Sequence, residues 1–208
     1  AHTLTKEQIQ VYDKLAEAWG IVLTNINEAL EITEADPRAR SAAMAQFWGA
    51  NQRFFSGIIT AMQTPSTILS IEKDMAEGRS SVIQLINTNQ SQQEKVLGSL
   101  EADADLEDLD MSPKDVLMNL VERAYPTQQY EQREDEDGNV IRVRVLDSND
   151  KPVENQEAVA RREELMDQVG GLTVPSSPID MIIDHFGVEN VAEVTGRTRR
   201  IVNTLQPD

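Results

Sequence analysis

Between Ile9 and Leu30 the residues Ile9, Tyr12, Ala16, Trp19, Leu23, Ile26 and Leu30 follow one another at alternating spacings of three and four. On a helix that rhythm places them along one seam, the geometry of two helices packed lengthwise. Nothing else in the chain constrains the fold as tightly. Thr5 and Gln8 precede the seam as a capping box, each side chain satisfying an amide that the first turn leaves without a partner. Asp36-Pro37 closes it, because a proline crowds the residue before it out of the helical conformation. A second helix is predicted from Arg38 to Met62. In it Phe47, Ala50, Phe54, Ile58 and Ala61 share a stripe, with Trp48, Phe55, Ile59 and Met62 beside it, so this helix is expected to be buried over much of its circumference. Joined by a short Asp-Pro turn, the two helices read as an antiparallel hairpin with Trp19, Phe47 and Phe54 in a shared core. Aromatic residues are only 4% of the chain, and several cluster between Phe47 and Phe55, which marks that region as the packing centre.

Further along, Thr64-Pro65 predicts a third helix with proline at its first position, closed by Gly78. Ser81-Val82-Ile83-Gln84-Leu85-Ile86 is short, β-branched and nearly all apolar, and reads as a buried, parallel-type strand. After Asn87-Thr88-Asn89 a polar helix is expected to about Leu100, then an acidic connector from Glu101 to Asp110. The connector lacks the glycine that an EF-hand loop needs at its turn, so it reads as solvated linker rather than a calcium site. Ser112-Pro113 starts another helix, ending near Tyr125-Pro126. Tyr130 to Leu146 reads as a hairpin turning at Asp137-Gly138, too charged for a core sheet and therefore an arm. A second turn cluster spans Asp147 to Pro152. A polar helix from about Gln156 to Val169 stops at Gly170-Gly171. Two short helices follow, from Ser177-Pro178 to Phe186-Gly187 and from Val188 to Gly196. The expected fold class is mainly α with a small α/β part: a long helical hairpin, one buried parallel-type strand, a charged β-hairpin arm and short C-terminal helices. Four segments result: residues 1–78, the hairpin and connecting helix; 79–126, a partial α/β segment; 127–155, the arm; and 156–208, a helical C-terminal segment.

The chain carries 36 acidic against 19 basic residues, a net charge of -17. Such a surface repels phosphate backbones over about a Debye length, roughly 8–10 Å at physiological salt, so any nucleic-acid contact must be local. There is no cysteine, which excludes disulfides and thiolate metal sites. No apolar run approaches the ~20 residues needed to span a bilayer. The N-terminus lacks the basic-then-apolar pattern of a signal peptide, so no membrane partner and a cytoplasmic location are expected. A phosphate-binding loop needs glycines whose amides face the phosphates and a lysine to reach them, yet no Gly-Lys pair occurs. The chain alone is therefore expected to hydrolyse no nucleotide. His2 and His185 have no further ligands at zinc spacing, and His185 reads as a helix-terminal residue favoured by the dipole. No glycine pattern frames a serine as a nucleophile elbow. No catalytic, cofactor-binding or metal residue emerges from these patterns.

Three stretches together resemble one family. Gln46-Phe47-Trp48-Gly49-Ala50-Asn51-Gln52-Arg53-Phe54-Phe55 resembles the aromatic helix that strawberry-notch proteins carry between two RecA-like lobes. Ser80-Ser81-Val82-Ile83-Gln84-Leu85-Ile86-Asn87-Thr88 is similar to the first strand of the second lobe. The run from Asp184 through Gly187, Glu189-Asn190-Val191-Ala192-Glu193 and Thr195-Gly196-Arg197 resembles a long family signature. Ser112 to Tyr130 is also similar to bacterial and phage members, which suggests a phage or mobile-element source. The resemblance implies a piece of a superfamily-two helicase, an ATP-dependent nucleic-acid motor, with the remainder of the helicase polypeptide as its partner. ATP and Mg are implied for that intact parent and none for this chain, because the family's phosphate loop and acidic motif would lie before residue 1 and its arginine finger after residue 208. A free-standing acidic helical interaction module without motor activity is the alternative.

Two local nucleic-acid contacts are expected in the intact protein. Asn87, Thr88 and Asn89 follow the carboxyl end of the predicted strand, where open α/β sheets place ligands, and the amides of the next helix would support a phosphate there. Equally, Thr88 or Asn89 serves as a helix cap. Arg197, Arg199 and Arg200 form the one dense basic cluster and suit phosphate, or else pair with nearby acids.

Overall fold

A computed structural model describes residues 2–85 and 113–193. Their elements are α1 (Lys6–Ile32), α2 (Pro37–Ala76), α3 (Pro113–Ala124), β1 (Tyr130–Glu134), β2 (Val140–Arg144), α4 (Gln156–Gly170) and α5 (Pro178–Phe186). The chain is mainly helical, with a small antiparallel two-stranded sheet. Its described residues form two compact units, 3–58 with 113–174, and 59–85 with 175–193.

In the first unit α1 opens with the expected capping box: the Gln8 amide donates to the Thr5 hydroxyl and the Thr5 amide to the Gln8 side chain. The helix closes at Ile32, with Glu34 in the left-handed region at φ 54° and the Ala35 amide returning to the Leu30 carbonyl at 3.0 Å. Asp36 then caps α2, its carboxylate accepting from the amides of Arg38 and Ala39. The Trp19 ring lies 5.3 Å from Phe47 and 5.2 Å from Phe54, so all three share the core expected of the hairpin. Phe47, Ala50, Phe54 and Ile58 are all buried, as the stripe requires. The indole Nε1 of Trp19 is buried with no hydrogen-bond acceptor among the described residues, enclosed by aromatic rings.

The buried face of α1 is Leu15, Trp19, Val22, Ile26, Ala29 and Leu30. This shifts the expected seam, because Ala16 and Ile9 are exposed and Leu23 and Tyr12 half-buried. The cause is a second set of neighbours. The Arg161 guanidinium of α4 pairs with Glu28, and the Tyr125 hydroxyl after α3 donates to the Asn25 carbonyl at 3.2 Å. A helix packed on two sides buries the positions between them rather than a single a/d seam. Burial pushes the Tyr125 hydroxyl up to about 12. Gly57 lets α2 meet α3 closely, since a Cβ there would stand 3.2 Å from the Pro113 ring.

The arm pairs β1 with β2 from Tyr130↔Arg144 to Glu134↔Val140. It turns as expected at Asp137-Gly138, with Gly138 at φ 78° and the Asp135 carboxylate accepting from the amides of Asp137 and Asn139. Those bonds hold the Asp135 carboxyl below its ordinary value. Tyr130 is buried and its amide donates to the Thr33 carbonyl at 2.9 Å, while the rest of both strands is exposed or half-exposed.

In the second unit the later part of α2 buries Ala61, Met62, Thr64, Ile68 and Ile71, and α5 buries Ile182 and Ile183. Ser177 caps α5 with Pro178 in its first turn. His185 sits in the last turn of α5, as expected, and its Nε2 meets the Glu72 carboxylate at 2.8 Å.

Four expectations are corrected. The break at Thr64-Pro65 does not occur, and α2 runs through Pro65. The ring removes one backbone hydrogen bond, but burial of Ala61, Met62, Ile68 and Ile71 on both sides holds the helix. The buried parallel-type strand is absent over residues 81–85, which have no ladder partner, and Val82 is 99% exposed. A strand needs a neighbour for its backbone groups, and the only strands among the described residues pair with each other. Residues 188–190 make a turn, with the Asn190 amide on the Gly187 carbonyl, and 191–193 are irregular rather than helical. So short a stretch, with Val188 exposed, has no packing to offset the cost of helix nucleation. Finally, α2 is less enclosed than expected: Trp48 is 57% exposed and Ile59 39%. The polar helix after Asn89, the acidic connector, and residues 194–196 lie outside the described residues.

Candidate functional site

All six sequence-derived contact residues, Asn87, Thr88, Asn89, Arg197, Arg199 and Arg200, lie outside the described residues. What the structure describes is the chain on their near sides: the extended residues 81–85, and the turn at Gly187–Asn190.

Within the second unit the extended segment borders a groove of about 460 Å³ with a hydroxyl- and amide-rich wall from α2, including Thr60, Gln63, Thr64, Thr67 and Ser70. Its one acid is Asp74, which accepts from the Arg79 guanidinium at 2.6 Å and from the Ser81 hydroxyl at 3.2 Å. The hydrogen bond from Arg79 holds the Asp74 carboxyl below its ordinary value. That carboxylate is tied to Arg79 and Ser81. Thr64 is occupied by the Thr60 carbonyl at 3.0 Å. Among the described residues no three His, Asp or Glu side chains gather as a metal-binding group. No described helix is long and apolar enough to cross a membrane.

In the first unit the informative surface is the outward side of the hairpin. From Pro37 to Ile71 the helix α2 carries no acidic residue at all, in a chain with 36 of them. Arg38, Ser41, Ala42, Ala45, Trp48 and Gln52 are exposed there, and Phe55 is half-buried. Phe55 lies 5.0 Å from the Tyr12 ring, which joins this row to the exposed Ile9 and Ala16 of α1. Reading the sequence for periodicity missed this surface, because an apolar stripe announces burial without saying what covers it. The acid-free run was the signal that could have found it.

The fold defines a mainly helical scaffold with no assembled catalytic constellation among its described residues. Its relatives narrow the class further. The chain is 23% identical to rat strawberry notch homolog 1 over 96% of its own length and 21% of that protein's. It is 31% identical to Drosophila melanogaster strawberry notch over 59% of the chain and 7% of the relative. It is 24% identical to FORGETTER 1 of Arabidopsis thaliana over 62% of the chain and 10% of the relative. These matches support a strawberry-notch-like relationship, and the chain spans about a fifth or less of the length of these proteins. No protein-family model matches the chain, and no solved structure does.

Proposed function

We propose that this chain is a non-catalytic part of a strawberry-notch-type, ATP-dependent nucleic-acid motor, supplying helical packing between lobes and part of the nucleic-acid track. The observation that carries the reading is the match to a strawberry notch homologue through 96% of the chain. The absence of any Gly-Lys pair agrees, since the phosphate loop of such a motor needs one. On this reading the partner is the remainder of the motor polypeptide, ATP and Mg bind there, and the protein works in the cytoplasm, in a phage or mobile element. Asn87, Thr88 and Asn89 would hold a backbone phosphate through short side chains and helix amides. Arg197, Arg199 and Arg200 would engage phosphates by charge.

The test uses the complete polypeptide encoded by the source reading frame. It should hydrolyse ATP with stimulation by DNA, and this chain alone should not. In the complete protein Thr88→Val should weaken binding to single-stranded DNA with little change in salt slope. Changing Arg197, Arg199 and Arg200 to Gln should lower that slope by about two to three. Neither change appearing would remove these residues from the track. A reading frame ending with this chain, or no ATP hydrolysis, would favour the free-standing interaction module.

A further inference from the structure

The rows Ile9, Tyr12 and Ala16 on α1 and Trp48, Gln52 and Phe55 on α2 keep the three-and-four spacing of a helix seam; Ile9, Ala16, Trp48 and Gln52 are exposed, while Tyr12 and Phe55 are half-buried against each other. We propose that they seat an amphipathic helix from elsewhere in the longer polypeptide, packed on the hairpin as a third helix. The inference rests on the proposed reading, in which most of the polypeptide lies outside this chain. The matched relatives have that excess length, with 79% or more of each outside the aligned region.

Three observations select this occupant. The first is periodicity. Each row repeats at helical spacing, and the Tyr12–Phe55 ring contact at 5.0 Å joins the rows into one surface. A helix laid along two such rows inserts its own side chains between them, as in coiled coils and helix-in-groove recognition. The second is charge. The six positions are uncharged, and the only charged residues of α2 before Glu72 are Arg38, Arg40 and Arg53. Arg40 is held by Glu31 and the Ala35 carbonyl. A phosphate backbone needs a row of cations, and this surface centres instead on an indole, a phenol and a phenyl ring. The third is self-repulsion. Between two copies of this chain alone a net charge of -17 would meet -17, which opposes their pairing through this face. A neutral or basic apolar helix meets no such opposition.

The experiment is hydroxyl-radical footprinting read by mass spectrometry at Trp48 and Tyr12, in this chain and in the complete polypeptide. Both residues should react about tenfold more slowly in the complete polypeptide, at any dilution and without DNA, because an interface core packs like a protein interior. Trp48→Glu should restore Tyr12 to its rate in the free chain. Trp48 is exposed, so the variant should fold, which circular dichroism checks. Equal rates in the two proteins would overturn the proposal. Protection that vanishes on dilution would assign the face to a second copy, and protection that needs DNA would assign it to nucleic acid; either overturns it. ATP hydrolysis by the same polypeptide separates this inference from the motor reading. Hydrolysis with Trp48 still exposed defeats only the docking face, and protection without hydrolysis defeats only the motor.

Discussion

The hairpin core around Trp19 and the stretch Ser81–Leu85 are both rich in large apolar residues, and they end in opposite surroundings. Trp19, Phe47 and Phe54 are at most 2% exposed, whereas Val82 is 99% exposed and Ile83 38%. The difference lies in where each finds its partner. The hairpin's two faces are joined by a short turn, so each supplies the other's contacts within some 40 residues of chain. A strand like 81–85 can bury itself only against a neighbouring strand, and no described residue provides one. Hydrophobicity thus states a need for burial, while topology decides whether it is met.

The largest test of this contrast is Phe54→Ala. Emptying a fully buried phenyl site should cost about 3–5 kcal/mol by denaturant unfolding. A loss below about 1 kcal/mol would put Phe54 outside a packed core and erase the contrast. A smaller effect concerns the edge of the same core. Burial pushes the Tyr125 hydroxyl up to about 12, Glu28 adds to that rise, and Arg161 opposes it. The folded state holds this proton more tightly than the unfolded chain does. Its contribution is complete below the ordinary tyrosine value of about 10 and is lost as pH rises toward 12. Tyr125→Phe should therefore lose less stability between those pH values than the parent, and an equal decline would place the hydroxyl in water. The smallest effect belongs to the other region. Val82→Ala should change stability by no more than about 0.5 kcal/mol. A cost above 1 kcal/mol would mean that the stretch is paired after all.

Local signals carried most of the fold. The Thr5 capping box, the Asp137-Gly138 turn, the Ser177-Pro178 start and the Gly170-Gly171 stop each act within a few residues, and each is where the sequence put it. The readings that failed needed knowledge of distant neighbours. Pro65 stays helical because of burial on either side of it. The α1 seam is offset because Tyr125 and Arg161 approach from beyond residue 120. Trp48 looked like core because its stripe was wide, and periodicity cannot say whether the last face is filled. The contact candidates came from the end of a predicted strand, for Asn87, Thr88 and Asn89, and from clustered charge, for Arg197, Arg199 and Arg200, so their test lies in the complete protein.

The arm shows a different economy, one of closure order. The Asp135 amide bonds the Asn139 carbonyl and the Asp147 amide the Lys151 carbonyl, two tight loops. Around the first lies the ladder from Glu134↔Val140 out to Tyr130↔Arg144. Around both lie the Gln128↔Glu154 bridge and the bond from the Asn155 amide to the Thr127 carbonyl. The Gln128 side chain fastens this outer ring, donating to the carbonyls of Gln129, Val145 and Val153. Each ring encloses one already closed, so each new contact spans only a few loose residues and meets little further entropy. Hairpins of this kind form in about 1–10 μs. The bond from the Tyr130 amide to the Thr33 carbonyl instead joins residues nearly a hundred apart. Loop-closure entropy thus favours completing the arm before it docks, so that α1 meets a finished edge rather than a loose strand.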